Sequence, residues 1–257
     1  MSLRGTQVEA TASQSSVPVI FTTKKVISHG VDRMNEKEIL RVEKYRSEIY
    51  WALSRCYSPP EKSIDAVLKR LEAGLCATGS NAISQAVMMR SELKTAVTFQ
   101  DIEVQFAKLF IGPYHLLAPP FGSIYLDNKR EVMGDSTLDV ARRYLAAGFT
   151  ADEDFTNPPD HISAELEFMH VLITAELNCL HNWCADEAAD CLVQQYEFLN
   201  SHLGRWIVAF TDLTIKATHL PYFKYLAAIT RQFIREDTQR LDETVAGWRV
   251  RPERILK

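Results

Sequence analysis

The sequence contains no uninterrupted apolar run approaching the roughly 18 residues a membrane-spanning helix needs, and its first thirty residues show no basic segment followed by an apolar block. The nearest approach, Val17 to Phe21, is a short apolar stretch between Ser-rich and Lys-containing sequence. The expectation is a protein neither secreted nor inserted into a bilayer by its own signals. A basic excess is missing as well. With 29 basic against 33 acidic residues the net charge is −4, so attraction to nucleic-acid phosphates or anionic lipid lacks its driving force. No glycine-rich phosphate cradle precedes Lys-Ser or Lys-Thr, no dinucleotide-type glycine pattern occurs, and no cysteines are paired at the spacing of a strong metal site. The five cysteines, Cys56, Cys76, Cys179, Cys184 and Cys191, are odd in number and scattered through helix-like sequence. Reduced thiols in a cytoplasmic setting fit them better than a disulfide framework. Strands are also missing, because β-branched residues nowhere alternate over a useful length.

What is present is helical periodicity. A hydrophobic content of 46% over 257 residues is enough for a substantial core. Residues 1 to 34, rich in Ser, Thr, Gln and Val, have no sustained apolar period and read as a flexible arm. From Asn35 onward, Ile39, Val42, Tyr45, Ile49, Leu53 and Cys56 recur at three- and four-residue steps, the stripe of a core helix ending near Tyr57. Ser58-Pro59-Pro60-Glu61 then offers a capping serine, a proline for the first helical position and a glutamate to close the cap. The helix it starts carries Ile64, Val67, Leu68 and Leu71 inward and ends near Gly74. Another, Asn81 to Val97, uses Ile83, Val87 and Leu93. Thr98 and Asp101 form a capping pair for a helix with Ile102, Phe106, Leu109 and Phe110 on its buried stripe.

Between Ile111 and Gly134 the period disappears among prolines and glycines, predicting a long irregular connection. A helix from Asp135 or Ser136 through Tyr144 stops at Gly148, before an acidic stretch, Asp152, Glu153 and Asp154. Asp160 reads as the N-cap of a long helix with Ile162, Leu166, Met169, Leu172, Ile173 and Leu177 inside. Further helices fit Asp186 to Leu203, Gly204 to Thr218 and Pro221 to Glu236. The expected fold is all-α, a single helical bundle of about ten helices over residues 35–257, with possible halves 35–110 and 135–257 about a 111–134 hinge. Exchange of those halves makes a domain-swapped homodimer an alternative to a monomer.

Three groups of residues could carry chemistry. His161 and Glu165 lie one helical turn apart and could act together at a pocket, although Asp160 as a cap and His161 as a partly buried neighbour account for the same spacing. Cys179, His181, Cys184 and Cys191 gather soft ligands within thirteen positions, but residues 179 and 184 fall on different helix faces. Phe110, Tyr114, Phe121 and Tyr125 bracket Pro119-Pro120, which suits either a peptide groove or a rigid packed connector.

Phe106-Ala-Lys-Leu-Phe-Ile-Gly-Pro113 followed by Pro119-Pro120-Phe121-Gly122-Ser123-Ile124-Tyr125, and then Pro159-Asp160-His161-Ile162 followed by Glu165-Leu166-Glu167-Phe168-Met169, resemble in order and spacing the signatures of the TorD-like, DmsD-like family of redox-enzyme maturation chaperones. The resemblance runs over about residues 40–236. It implies an all-helical protein that is not an enzyme, needs no cofactor or metal of its own, and binds the twin-arginine signal peptide and body of an apo molybdoenzyme catalytic subunit until its molybdenum cofactor is inserted. Carried over by position, Pro119, Pro120, Ser123, Tyr125, Pro159, Asp160 and His161 belong to the client-binding region, with Glu165 as a supporting acid and Phe121 and Phe168 as apolar partner-binding residues beside them. Asp160, Glu165 and the Asp152–Asp154 stretch would pair with client guanidinium groups, and Phe121, Tyr125 and Phe168 would floor an apolar groove. Many relatives carry an acid just before the Ser-x-Tyr element, where this chain has Gly122. The alternatives are an all-helical metal protein or enzyme using His161, Glu165 and Cys179–Cys191, and a generic helical scaffold.

Overall fold

A computed structural model describes residues 4–5, 33–112, 116–127, 132–150 and 157–249. Nearly all of the expected N-terminal arm, the Asp152–Asp154 stretch, Tyr114 and the last eight residues lie outside the described part. The architecture is an all-α bundle. Its elements are α1 (Arg33–Cys56), α2 (Ile64–Thr78), α3 (Ile83–Thr95), α4 (Phe99–Phe106) running into a π-helical turn (Ala107–Ile111), α5 (Ser123–Leu126), α6 (Asp135–Ala146), α7 (Ile162–His181), α8 (Ala185–Ser201), α9 (Leu203–Ala217) and α10 (Pro221–Arg249). The only strand pairing among the described residues is a two-residue antiparallel contact of Arg4–Gly5 with Phe149–Thr150.

Helix α1 packs along α7 and α2, α7 along α8, and α10 along α9, α3 and α8, so the first and last long helices share one core. At its centre Arg46 is buried and donates from Nε and Nη2 to both oxygens of Asp237, at 2.7 and 2.8 Å. Arg46 also pairs with Glu43 and donates to Gln195 Oε1 at 3.2 Å, while Arg240 bonds Glu43 at 2.9 Å and Tyr50 donates to Asp237 at 2.7 Å. Gln195 passes the chain on to Glu176, donating from Nε2 at 2.6 Å. A buried guanidinium is tolerable only because carboxylates and an amide meet its fork. Burial works to raise the Asp237 carboxyl, yet the field of Arg46 outweighs it and holds the group at about 2. Glu176, buried near Glu43 with Arg46 and Arg240 farther off in effect, is instead pushed up to about 7.

Several expectations are corrected. The helix after the double proline begins at Ile64, with Ser63 before it; Ser58 turns back to the Ser54 carbonyl at 3.0 Å, because Pro60 disfavours helical backbone at residue 59. Gly74 lies inside α2 and does not end it. A Cβ there would come 2.6 Å from Ile49, so glycine lets α2 and α1 approach closely, and the stop is Gly79 at φ 69°. Ile39 and Val87 face solvent. The last helix continues thirteen residues beyond Glu236 to Arg249, since Asp237, Leu241 and Val245 extend its inner face. The Thr98–Asp101 capping box is present, with Thr98 Oγ1 accepting from Asp101 N at 3.2 Å and the Asp101 carboxylate accepting from Thr98 N at 2.9 Å.

Candidate functional site

The π-helical turn ends α4 and delivers Phe110 into an aromatic series that fixes the proline-rich connection. Phe110 and Phe210 lie 5.9 Å apart, Phe210 and Trp206 5.4 Å apart, and Trp206 stacks on Tyr125 at 5.5 Å with the rings 15° from parallel. Tyr125 closes the loop on itself by donating its hydroxyl to the Pro119 carbonyl at 2.8 Å. The middle of the connection is thus less irregular than its prolines suggest, and contains the single turn α5.

The loop is stitched to the start of α7 by an isolated antiparallel bridge between Phe121 and His161. Gly122 N donates to the Asp160 carbonyl at 2.9 Å and Ile162 N to the Pro120 carbonyl at 2.8 Å. A side-chain bond adds to it: Asp160, fully buried, accepts from Ser123 N through Oδ2 at 2.8 Å. Asp160 is therefore not the N-cap. That position is His161, whose extended backbone (φ −68°, ψ 138°) precedes the first helical residue and whose Nδ1 accepts from Ser163 N at 3.2 Å. Such a cap requires an imidazole with Nδ1 unprotonated, and burial lowers the His161 pKa to about 4.

One turn along, Glu165 is fully buried and accepts from Trp206 Nε1 at 3.0 Å through Oε2. Burial pushes its pKa well above the ordinary carboxyl range; the indole bond opposes this and nearby Asp160 adds to it. Asp160 Oδ1, Glu165 Oε1 and Ser123 Oγ are buried with no partner, three such atoms at one joint. Gly122 sits against them. A Cβ there would stand 3.1 Å from Glu165 Oε1 and 3.1 Å from Trp206 Nε1. The space an acidic side chain would need is already filled by that pair.

The structure thus brings Pro119, Pro120, Phe121, Ser123, Tyr125, Pro159, Asp160, His161 and Glu165 to one joint, with Tyr144 donating to the Pro159 carbonyl at 2.9 Å. Phe168 belongs elsewhere: it is buried against Tyr144 at 4.5 Å and Phe198 at 4.9 Å, in the bundle core. Trp206 joins the site from α9 and is absent from the residues that the two motifs single out. No spacing rule ties a residue of α9 to Glu165. The metal alternative is not supported by the placement of its residues. Cys179 and His161 lie at opposite ends of α7, about 27 Å apart at 1.5 Å per residue. No group of three or more His, Cys, Asp or Glu among the described residues could hold a metal ion.

Residues 71–212, more than half of the chain, match the sequence profile of the family described as nitrate reductase delta subunit. The chain belongs to that family. Within it the relatives are TorD- and DmsD-like. Chaperone protein TorD of Aliivibrio salmonicida is 26% identical over 202 residues, covering 75% of this chain and 91% of the relative. TorD of Vibrio cholerae is 26% identical over 223 residues, 82% of this chain and 97% of its own length. The Tat proofreading chaperone DmsD of Salmonella typhi is 32% identical over 124 residues, 48% of this chain and 54% of that protein. A solved structure of a redox enzyme maturation protein from Archaeoglobus fulgidus covers 74% of this chain and 93% of its own, at 19% identity and a TM-score of 0.46. In this member of the delta subunit family, the joint of the Pro119 loop with α7 falls inside the matched segment. No helix among the described residues is long and apolar enough to cross a membrane.

Proposed function

We propose that this delta-subunit family member is a cytoplasmic maturation chaperone that binds the apo form and twin-arginine signal peptide of a molybdopterin-dependent oxidoreductase, assisting cofactor insertion and delaying export. The observation that carries the reading is the joint itself: a loop pinned to a helix start by the Asp160 carboxylate and a two-way backbone bridge, with apolar residues around it. Half-buried Pro119, Phe121, Ile124 and Pro159 border it, with exposed Leu117 close along the chain. That rim suits the apolar stretch of a signal peptide.

The acids take a different part from the one expected of surface carboxylates. Asp160 and Glu165 are buried, so a client guanidinium reaches the unpaired Oδ1 of Asp160 only once the Ser123 loop lifts off α7. The rim supplies affinity, and the buried groups hold the loop in place and select for arginine once it lifts. Calorimetric titration with a twin-arginine signal peptide, a twin-lysine version and a scrambled peptide of equal charge and hydrophobicity tests this. Phe121→Ala is expected to weaken binding by ten-fold or more, roughly the loss of one buried anchor, and Asp160→Asn to erase the preference for arginine over lysine. Equal affinity for the scrambled peptide overturns the reading.

A further inference from the structure

The cysteines that fail as a metal site are placed for different chemistry. Helix α7 ends in a tight turn in which Cys184 N donates to the Cys179 carbonyl at 2.9 Å, and Trp183 takes the left-handed conformation (φ 59°) usually reserved for glycine. The chain reverses there into α8, and Trp183 stays 65% exposed at the tip. Along the seam between the helices, Gln195 bonds Glu176 at 2.6 Å. Cys179 lies three residues after Glu176 and Cys191 four before Gln195, so the thiols meet one turn nearer the hairpin on the same seam. The two helices pack along this seam, and each thiol lies near enough to shift the other's titration. Both residues are half-buried, so a small reagent can reach the edge of the pair.

We propose that Cys179 and Cys191 are a redox modification site, a dithiol that closes to a reversible disulfide joining α7 to α8. The co-reactant is a low-molecular-weight disulfide such as oxidised glutathione. The Cys179 thiolate attacks one of its sulfurs, forming a mixed disulfide and expelling one glutathione thiolate. The Cys191 thiolate then attacks the Cys179 sulfur and expels the second. The protein loses two thiol protons and two electrons, and the oxidant is reduced to two thiols. The bond ties down the far end of the helix that His161 caps. Burial raises both thiols, Cys191 to about 12, so thiolate is scarce at neutral pH and oxidation speeds up as pH rises.

The test uses the full chain, incubated with oxidised glutathione, digested without reduction and mapped by mass spectrometry. The expected product is a cross-linked pair of peptides containing Cys179 and Cys191, two hydrogens lighter than their sum and released by dithiothreitol. Cys184→Ser leaves that product unchanged. Cys191→Ser replaces it with a glutathione adduct on Cys179. A cross-link through Cys184 in the wild type, or glutathione adducts alone on Cys179 and Cys191, overturns the proposal.

Discussion

The indole of Trp206 and the carboxyl of Glu165, one from α9 and one from α7, share a 3.0 Å hydrogen bond inside the protein. Each residue meets a buried polar requirement of the other, and together they make the space beside Gly122 of the neighbouring loop tight. Trp206→Phe keeps most of the stacking on Tyr125 but leaves Glu165 with neither oxygen paired. The expected cost is about 1–3 kcal/mol of stability, the range for an abandoned buried polar group, read from urea denaturation.

Gly122 has a helical backbone (φ −58°), so substitution there is limited by space alone. Gly122→Ala asks its neighbours to yield by a few tenths of an ångström and gains about 0.4–1 kcal/mol from the stiffer unfolded chain. Its net effect on denaturation is expected to stay within ~1 kcal/mol. Gly122→Asp places a second carboxylate against Glu165 and is expected to cost ~3 kcal/mol or more. Equal midpoints for the two variants would show that the loop lifts readily off α7.

His161 links stability to acid. Its pKa is about 4 in the folded state and near 6.5 when exposed, so the unfolded chain binds more protons between those values. The stabilisation is complete above pH 6.5 and is lost as pH falls toward 4. His161→Asn preserves an N-cap acceptor and removes the titration. Comparing denaturation of the two proteins at pH 7 and pH 4 should show the wild type losing about 3 kcal/mol relative to the variant.

Glu176 acts in the opposite direction. Its folded pKa of about 7 exceeds the ordinary 4.5, so the folded state holds the extra proton and stability falls as pH rises through 7. Glu176→Gln keeps an acceptor for Gln195 and never ionises. The variant is expected to match the wild type at pH 4 and to exceed it by about 3 kcal/mol at pH 8.

Asp237→Asn removes the charge that Arg46 was buried to meet. Loss of one partner from a buried ion pair costs about 3–5 kcal/mol. Urea denaturation reads a loss of that size, with Arg231→Ala as a comparison, because the Arg231–Asp212 pair at 2.9 Å is partly open to solvent and should cost no more than about 1 kcal/mol.

The helices were legible because their information is local. Periodic apolar residues gave α1, α4 and α7, and Thr98 with Asp101 gave a cap that the structure contains. The misplacements come from long-range contacts. Gly74 looked like a stop because nothing local reveals that Ile49 will lie 2.6 Å from where its Cβ would be. Asp160 looked like a cap because aspartate commonly is one, while the actual cap, His161, depends on burial that keeps Nδ1 unprotonated. The two motifs could be read as belonging together, but their bridge at Phe121 and His161 and the intrusion of Trp206 needed coordinates.

The bidentate contact of Arg46 with Asp237 joins residues 191 positions apart in the chain. A ribosome making this protein from its N-terminus exposes Arg46 early, in a helix that can meet α2 and α7 long before Asp237 is made. Until the segment around Arg240 has left the exit tunnel, Arg46 has only Glu43 and then Gln195 to meet it, and its fork onto Asp237 cannot form. The newborn chain therefore completes its central charge network only near the end of synthesis.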